Sequence, residues 1–123
     1  MEDLVIEATD RTPGVSFKTN GELFIGESSI PEDVLTFYKE LFAWMDAYCA
    51  APRSSTTLDL KLKFFNTSTS KCLFTIFQKL EAVKAKGFDV VINWYYRLDD
   101  TDMYESGLDF QQLLKVPFKI HKL

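Results

Sequence analysis

The chain has 123 residues, enough for a single domain spanning residues 1–123, and its 46% hydrophobic content excludes disorder as the default state. A formal net charge of −4 argues against nonspecific binding to nucleic acid or to an anionic membrane surface. Eleven phenylalanines, five tyrosines and two tryptophans are many for one small core, so some rings are candidates for a partner surface.

The two cysteines, Cys49 and Cys72, belong to no CxxC motif and to no Cys/His cluster. We therefore expect two buried thiols in a reducing compartment. No apolar run approaches the ~20 residues of a membrane span. The first residues lack the basic start and apolar stretch of a signal peptide. These features together predict a cytoplasmic protein.

The first part of the chain predicts a hairpin followed by a helix. Asn20-Gly21 separates residues 15–18 from residues 22–25, and Asn-Gly accepts the positive φ angles of tight hairpin turns. A loop then leads into a helix, with Pro31 in its first turn. Tyr38 is expected to place its ring inward and its hydroxyl in water. Apolar residues spaced mostly by three and four predict the buried stripe of this helix: Val34, Leu35, Tyr38, Leu41, Phe42, Met45 and Cys49.

The rest of the chain alternates strands and helices. Residues 57–64 alternate apolar and polar side chains, which predicts a strand, and a helix is predicted from about residue 69 to residue 86. Residues 88–96 predict another strand, and residues 116–120 a short last one, with Pro117 at a strand start or an edge. Between them lies a third helix, over residues 99–114, whose inward residues are expected to be Met103, Phe110, Leu113 and Leu114.

The order of predicted elements is ββαβαβαβ. A strand, a helix and a strand in succession normally form a right-handed crossover between parallel strands. A parallel strand covered on both faces would be apolar on both faces, whereas residues 57–64 carry one polar face. The sequence therefore predicts an α/β fold, bordering on α+β, with a mixed sheet of about five strands and three helices packed on one face.

The segment Phe64-Phe65-Asn66-Thr67-Ser68-Thr69-Ser70-Lys71 joins the alternating strand to the second helix. A hydroxyl group there can cap the helix, because the first backbone N–H groups have no partner inside it. A phosphate group would also be favoured by those N–H groups, by the helix dipole and by the charge of Lys71. Four consecutive hydroxyl residues exceed the need for one cap, so a helix cap and a phosphorylation switch both stay open.

Other chemistry finds little support in the sequence. Asp99, Asp100 and Asp102 are able to contact a hard cation, but aspartates at a helix start are far more often caps. His121 is the single histidine and lies third from the end of the sequence, which argues against a Ser–His–Asp or phosphohistidine mechanism, and no Gly-rich phosphate loop is present. We therefore predict no catalytic residue, no metal site and no cofactor.

The aromatic run Trp94-Tyr95-Tyr96 is able to stack on a nucleotide base, although a core strand explains it more simply. In that interpretation Trp94 and Tyr96 point inward. Tyr95 would then lie on the open face of the sheet, together with Phe65. These two rings are candidates for a partner surface.

Several segments together make the chain resemble the SiaC family of bacterial regulatory phosphoproteins over nearly its whole length. They are residues 26–33, residues 65–71, residues 99–103 and the Pro117-Phe118 end. One departure is Phe64-Phe65, where a tyrosine is expected to be common. The family in turn resembles the STAS-domain anti-sigma-factor antagonists, whose mixed sheet carries its helices on one side.

The resemblance implies regulation by partner switching. A dedicated kinase would phosphorylate a threonine that corresponds to Thr67, and a PPM-type phosphatase would remove the phosphate. The unphosphorylated protein would bind and activate a diguanylate cyclase, which makes cyclic di-GMP and promotes biofilm formation. The rest of the turn, namely Asn66, Ser68, Thr69, Ser70 and Lys71, would shape the site or contact partners. The alternative is a small anion- or nucleotide-binding module, with the turn holding a phosphate and Tyr95 or Phe65 stacking.

Overall fold

The computed structural model describes all residues 1–123 as six strands and three helices. In chain order they are β1 (Leu4–Ile6), β2 (Gly14–Phe17), β3 (Glu22–Ser29), α1 (Val34–Ala50), β4 (Ser55–Phe65), α2 (Thr67–Ala85), β5 (Asp89–Tyr96), α3 (Thr101–Leu113) and β6 (Phe118–Lys122). This confirms the predicted mixed α/β fold. The additional strand is β1, whose three residues are too few for an alternating pattern to be recognised.

All six strands form one sheet in the order β1-β2-β3-β4-β5-β6. The β1/β2 and β2/β3 pairs are antiparallel, whereas β3, β4, β5 and β6 run parallel to one another. The predicted Asn-Gly hairpin joins β2 to β3, and Gly21 has a φ of 98°. Each parallel connection contains a helix, and the three helices pack on one face of the sheet, which leaves the other face open.

One cluster of 24 buried residues lies between the helices and the sheet. Trp94 on β5 belongs to this cluster and is 1% exposed, as predicted for an inward residue. Its ring lies 5.4 Å from that of Phe110 on α3 and 6.1 Å from that of Phe118 on β6. Gly107 makes room for it, because a Cβ atom at residue 107 would lie 2.6 Å from Trp94 Cδ1.

The first helix differs from the prediction at its start and on its stripe. Asp33 is the N-cap, with its carboxylate accepting a hydrogen bond from Thr36 N, so Pro31 precedes the helix. Leu35 was predicted to face inward but is 66% exposed, and the buried residues are Tyr38, Leu41, Met45 and Tyr48. At 100° per residue, Leu35 lies about 100° around the helix from the middle of this buried set, which turns its side chain away from the core.

Two further predictions need correction. The third helix is shorter than predicted, and Leu113, expected to face inward, is 68% exposed at its end. Leu114 follows the helix in an extended conformation and is buried, as predicted. Cys49 and Cys72 are free thiols, half-buried and buried respectively, and burial raises the pKa of both. None of the helices is both long and apolar enough to cross a membrane.

Candidate functional site

The turn between β4 and α2 consists of a single residue, Asn66, in an extended conformation. Its side-chain Oδ1 accepts a hydrogen bond from Thr69 N at 2.9 Å, so Asn66 is the N-cap of the helix. The cap is therefore an amide and not one of the four hydroxyl groups. The helix consequently begins at Thr67, two residues before the predicted start.

The four hydroxyl residues occupy different environments. Thr67 and Ser68 are exposed, and Ser70 is half-buried. Thr69 is completely buried, and its Oγ1 donates a hydrogen bond to the backbone oxygen of Ser29 at 2.8 Å. The hydroxyl groups of Thr67 and Ser68 are therefore accessible from solvent, whereas that of Thr69 is not.

Thr69 belongs to a buried hydroxyl triad with Ser29 and Tyr38. Ser29 Oγ lies 2.9 Å from Thr69 Oγ1 and 2.8 Å from Tyr38 Oη. Because Thr69 donates its one hydroxyl hydrogen to the Ser29 carbonyl, Ser29 must donate to Thr69 and Tyr38 must donate to Ser29. Burial raises the pKa of Tyr38 to about 12, which keeps this phenol protonated.

The triad corrects the expectation for Tyr38, whose hydroxyl does not reach water, since the residue is 0% exposed. The triad also fixes the position of the turn, because its hydrogen bonds connect α1, the end of β3 and the first turn of α2. Asn66 N donates to the same Ser29 oxygen at 3.4 Å. The orientation of Thr67 toward solvent is thus held by contacts on the buried side of the helix.

A groove of about 380 Å³ opens beside Thr67, between the starts of α2 and α3. Asp100 is the N-cap of α3, with Oδ1 accepting from Met103 N at 3.0 Å, as the cap interpretation of these aspartates predicted. Asp102 is exposed and belongs to the first turn of the same helix. We call this cavity the turn groove; its lining consists of Lys63, Phe64, Phe65, Asn66, Thr67, Ser70, Asp100, Asp102, Met103 and Ser106.

Phe65 does not lie on the open face, and this prediction is wrong. Its ring packs edge-on against Trp94, with the centroids 5.7 Å apart, on the side of the helices. The pairing with β3 explains the change, because Glu27 pairs with Leu62 and Ser28 with Phe64, so the alternation shifts by one residue at Lys63. Phe64 is exposed instead, by 56%.

Tyr95 lies on the open face, as predicted. Its ring stacks on His121 with centroids 4.9 Å apart, and Lys61 Nζ lies 4.9 Å from the ring centroid. Asn93 Nδ2 donates to Asp59 Oδ1 at 2.9 Å, which directs Asn93 Oδ1 toward His121 Nε2 at 2.8 Å. The Tyr95 ring is thus already contacted by its neighbours, on the opposite side of the sheet from Phe65.

The structure therefore brings Asn66, Thr67 and Ser70 together at one groove, with Ser68 and Lys71 exposed on the same helical turns. Lys63 and Phe64 also line this groove, although neither was predicted as a site residue. Asp100 and Asp102, at the start of α3, line it as well, and this contact with the turn was not predicted either. The order of elements already indicates this contact between the start of α3 and the turn before α2. Helices that follow neighbouring parallel strands begin at the same edge of the sheet.

Comparison with known proteins places the chain in a family. A sequence model described as "SiaC family regulatory phosphoprotein" matches residues 6–123. The chain belongs to the SiaC family. A curated protein from Pseudomonas aeruginosa strain UCBPP-PA14, described as an uncharacterized protein, is 28% identical over 121 residues, which are 98% of this chain and 96% of that relative. The resemblance inferred from the sequence motifs is thereby confirmed.

Solved SiaC structures have the same fold. Apo-SiaC from Pseudomonas aeruginosa superposes with a TM-score of 0.90 at 29% identity, covering 98% of this chain and 99% of the other. SiaC from the same organism, in a complex described as diguanylate cyclase SiaD with its activator SiaC, gives a TM-score of 0.93 at 27% identity, covering 98% of this chain and 100% of the other. That SiaC protein therefore acts through a protein partner.

Proposed function

We propose that this SiaC-family chain is a non-enzymatic, cytoplasmic phosphoprotein that acts by partner switching. A dedicated kinase phosphorylates Thr67, a PPM-type phosphatase removes the phosphate, and the unphosphorylated protein binds and activates a diguanylate cyclase. The observation that carries this proposal is the exposed Thr67 at the edge of the turn groove, in a fold shared with a SiaC protein that was crystallised with the cyclase it activates.

Thr67 suits the role of phosphate acceptor on chemical grounds. Its Oγ1 attacks the γ-phosphorus of ATP held by the kinase, the bond to the β–γ bridging oxygen breaks, and ADP leaves. The hydroxyl proton passes to a base of the kinase. Ser68 is also exposed, but it does not line the turn groove, whereas Thr67 does. Thr69 is buried, which removes it as a competitor.

The fold is expected to tolerate the phosphate. Phosphorylation adds about −1.5 to −2 charges at pH 7. Thr67 is the first helical residue, where the dipole favours a negative charge by ~0.3–1 kcal/mol. The cap from Asn66 and the buried hydroxyl triad do not use the Thr67 hydroxyl. Modification therefore leaves the contacts that hold the turn in place.

Partner binding is expected to be far more sensitive than folding. A partner packed on the turn would have to desolvate the phosphate, which costs several kcal/mol if no cation pairs with it. A loss of ~3 kcal/mol weakens binding roughly a hundredfold. The exposed Phe64 ring beside Thr67, together with Ser68, Ser70 and Lys71, supplies a surface for such a partner.

The first test is intact-mass analysis of the protein purified from its native host, with a peptide map over residues 61–79. The proposal predicts a phosphorylated fraction with the phosphate on Thr67. A Thr67→Ala variant expressed in the same host is the matched control and should carry no phosphate. An unmodified mass under all growth conditions would contradict the proposal and would favour the anion-binding alternative.

A further inference from the structure

Lys63 occupies an unusual position at the end of β4. The β3 residues Glu27 and Ser28 pair with Leu62 and Phe64, so Lys63 has no partner in the ladder and marks a bulge. Its Nζ forms a salt bridge with Glu27 Oε2 at 2.8 Å. Glu27 itself has a φ of 67°, a left-handed conformation that non-glycine residues seldom adopt. The irregular backbone of both strands thus brings this ion pair together.

Lys63 also lines the turn groove together with Thr67. Lys71 does not line it, although Lys71 lies one helical turn beyond Thr67 and is exposed. The Lys63 ammonium stands on a flexible four-carbon stem. Its side chain is 53% exposed, so the ammonium has room to turn from Glu27 toward the groove.

We propose that Lys63 is the intramolecular partner of phosphorylated Thr67, and that phosphorylation transfers its ammonium from the Glu27 carboxylate to the phosphate. This inference rests on the proposed function, because it concerns the phosphorylated state of the same site. The Lys63–Glu27 pair is half-exposed, and pairs of that kind contribute little to stability. A phosphate of nearly two negative charges attracts the ammonium more strongly than a single carboxylate does.

The transfer would change a second groove, which shares Lys63 and Asp100 with the turn groove. This neighbouring groove, of about 510 Å³, is lined by three cationic and three carboxylate side chains: Lys61, Lys63 and Arg97 with Glu27, Asp99 and Asp100. Moving the Lys63 ammonium toward Thr67 removes one cation from this set and leaves Glu27 unpaired. Phosphorylation would therefore make the neighbouring groove acidic, and would alter a partner surface wider than the turn itself.

The test uses a protein with phosphothreonine encoded at position 67 by stop-codon suppression, so that no kinase is required. Phosphorus NMR follows the second ionisation of the phosphate, whose midpoint is ordinarily near pH 6. We expect Lys63→Gln to raise this midpoint by about half a pH unit, the size typical of a partly exposed ion pair. Glu27→Gln should lower it, because the competing carboxylate is gone. Lys63→Arg should keep it near that of the parent protein.

Lys71→Gln is the matched control, because it removes the same charge one turn away on the helix. The inference is overturned if Lys63→Gln shifts the midpoint no more than Lys71→Gln does, or if Glu27→Gln leaves it unchanged. The encoded phosphoprotein separates this result from the proposed function. Failure to find phosphate on the native protein would refute the switch, whereas these titrations decide only which cation the phosphate contacts.

Discussion

Thr69 buries its hydroxyl against the carbonyl oxygen of Ser29 at 2.8 Å, while Thr67, two residues earlier, lies in solvent at the edge of a groove. A helix places residues two apart on different sides. Fixing Thr69 inward therefore turns Thr67 outward. One buried contact thus separates the structural threonine of the turn from the proposed regulatory one.

Replacing Thr69 by valine should destabilise the protein. The change keeps the shape of the side chain but leaves Ser29 Oγ without its acceptor, and the Ser29 carbonyl keeps only the longer hydrogen bond from Asn66 N. A buried polar group left without its partner costs about 1–3 kcal/mol, so urea unfolding should show a loss of that size. Ser68→Ala, at an exposed position of the same turn, should change the free energy of unfolding by less than about 0.5 kcal/mol. Equal losses in the free energy of unfolding for the two variants would show that the buried triad stabilises the fold no more than an exposed hydroxyl group does.

Stability should depend on Tyr38 at alkaline pH. Its pKa is about 12 in the folded protein, against an ordinary value of 10.0, because burial disfavours the phenolate. The folded state therefore keeps a proton that the unfolded state releases, so the stabilisation is complete below pH 10 and is lost as the pH rises toward 12.

Urea unfolding between pH 9 and about 12 measures this contribution, which should reach about 2–3 kcal/mol at the upper end. Tyr38→Phe is the control, because it keeps the ring and removes the titrating group. The variant should show a shallower alkaline decline than the parent protein. Parallel declines in the two proteins would mean that the Tyr38 pKa is not raised.

Gly107→Ala should destabilise the protein although alanine favours helices by about 1 kcal/mol over glycine. The new Cβ atom would lie 2.6 Å from Cδ1 of Trp94, a buried core residue. Overpacking of this kind typically costs about 1–3 kcal/mol. Thermal unfolding measures the effect, and Leu113→Ala, on the exposed end of the same helix, is the control with little expected change. A Gly107→Ala protein more stable than the parent would show that the Trp94 ring moves aside without cost.

The proposed switch predicts that the Thr67→Ala protein stays folded and binds the cyclase permanently, because residue 67 then has no hydroxyl group to modify. Thr67→Asp should bind the cyclase more weakly, although one carboxylate imitates a phosphate poorly. Circular dichroism checks the fold, and a pull-down with the purified cyclase checks binding. An unfolded Thr67→Ala protein would count against a purely regulatory role for this residue.

The layering of the fold could be predicted because it depends on patterns along a single element. The alternation of Leu58, Leu60 and Leu62 with Asp59 and Lys61 indicates one buried and one polar face, and that pattern is enough to place all helices on one side. The hairpin at Asn20-Gly21 follows from local turn chemistry in the same way.

The features that escaped prediction depend on contacts between distant parts of the chain. Phe65 changes sides because β3 and β4 pair with a bulge, which the sequence of β4 alone does not show. Tyr38 has its hydroxyl buried because Ser29 and Thr69, from two other elements, supply its partners. For the same reason, four hydroxyl residues in a row looked equivalent in the sequence, and only the buried contact of Thr69 distinguishes them.

The most direct test of the switch compares two forms of this protein, one unmodified and one with phosphothreonine encoded at position 67, for binding to the diguanylate cyclase from the same organism. Isothermal titration calorimetry measures both affinities under the same salt conditions. We predict that the unmodified protein binds and stimulates the cyclase, and that phosphorylation raises the Kd roughly a hundredfold. Equal affinities for a fully phosphorylated and an unphosphorylated protein would contradict the proposed mechanism.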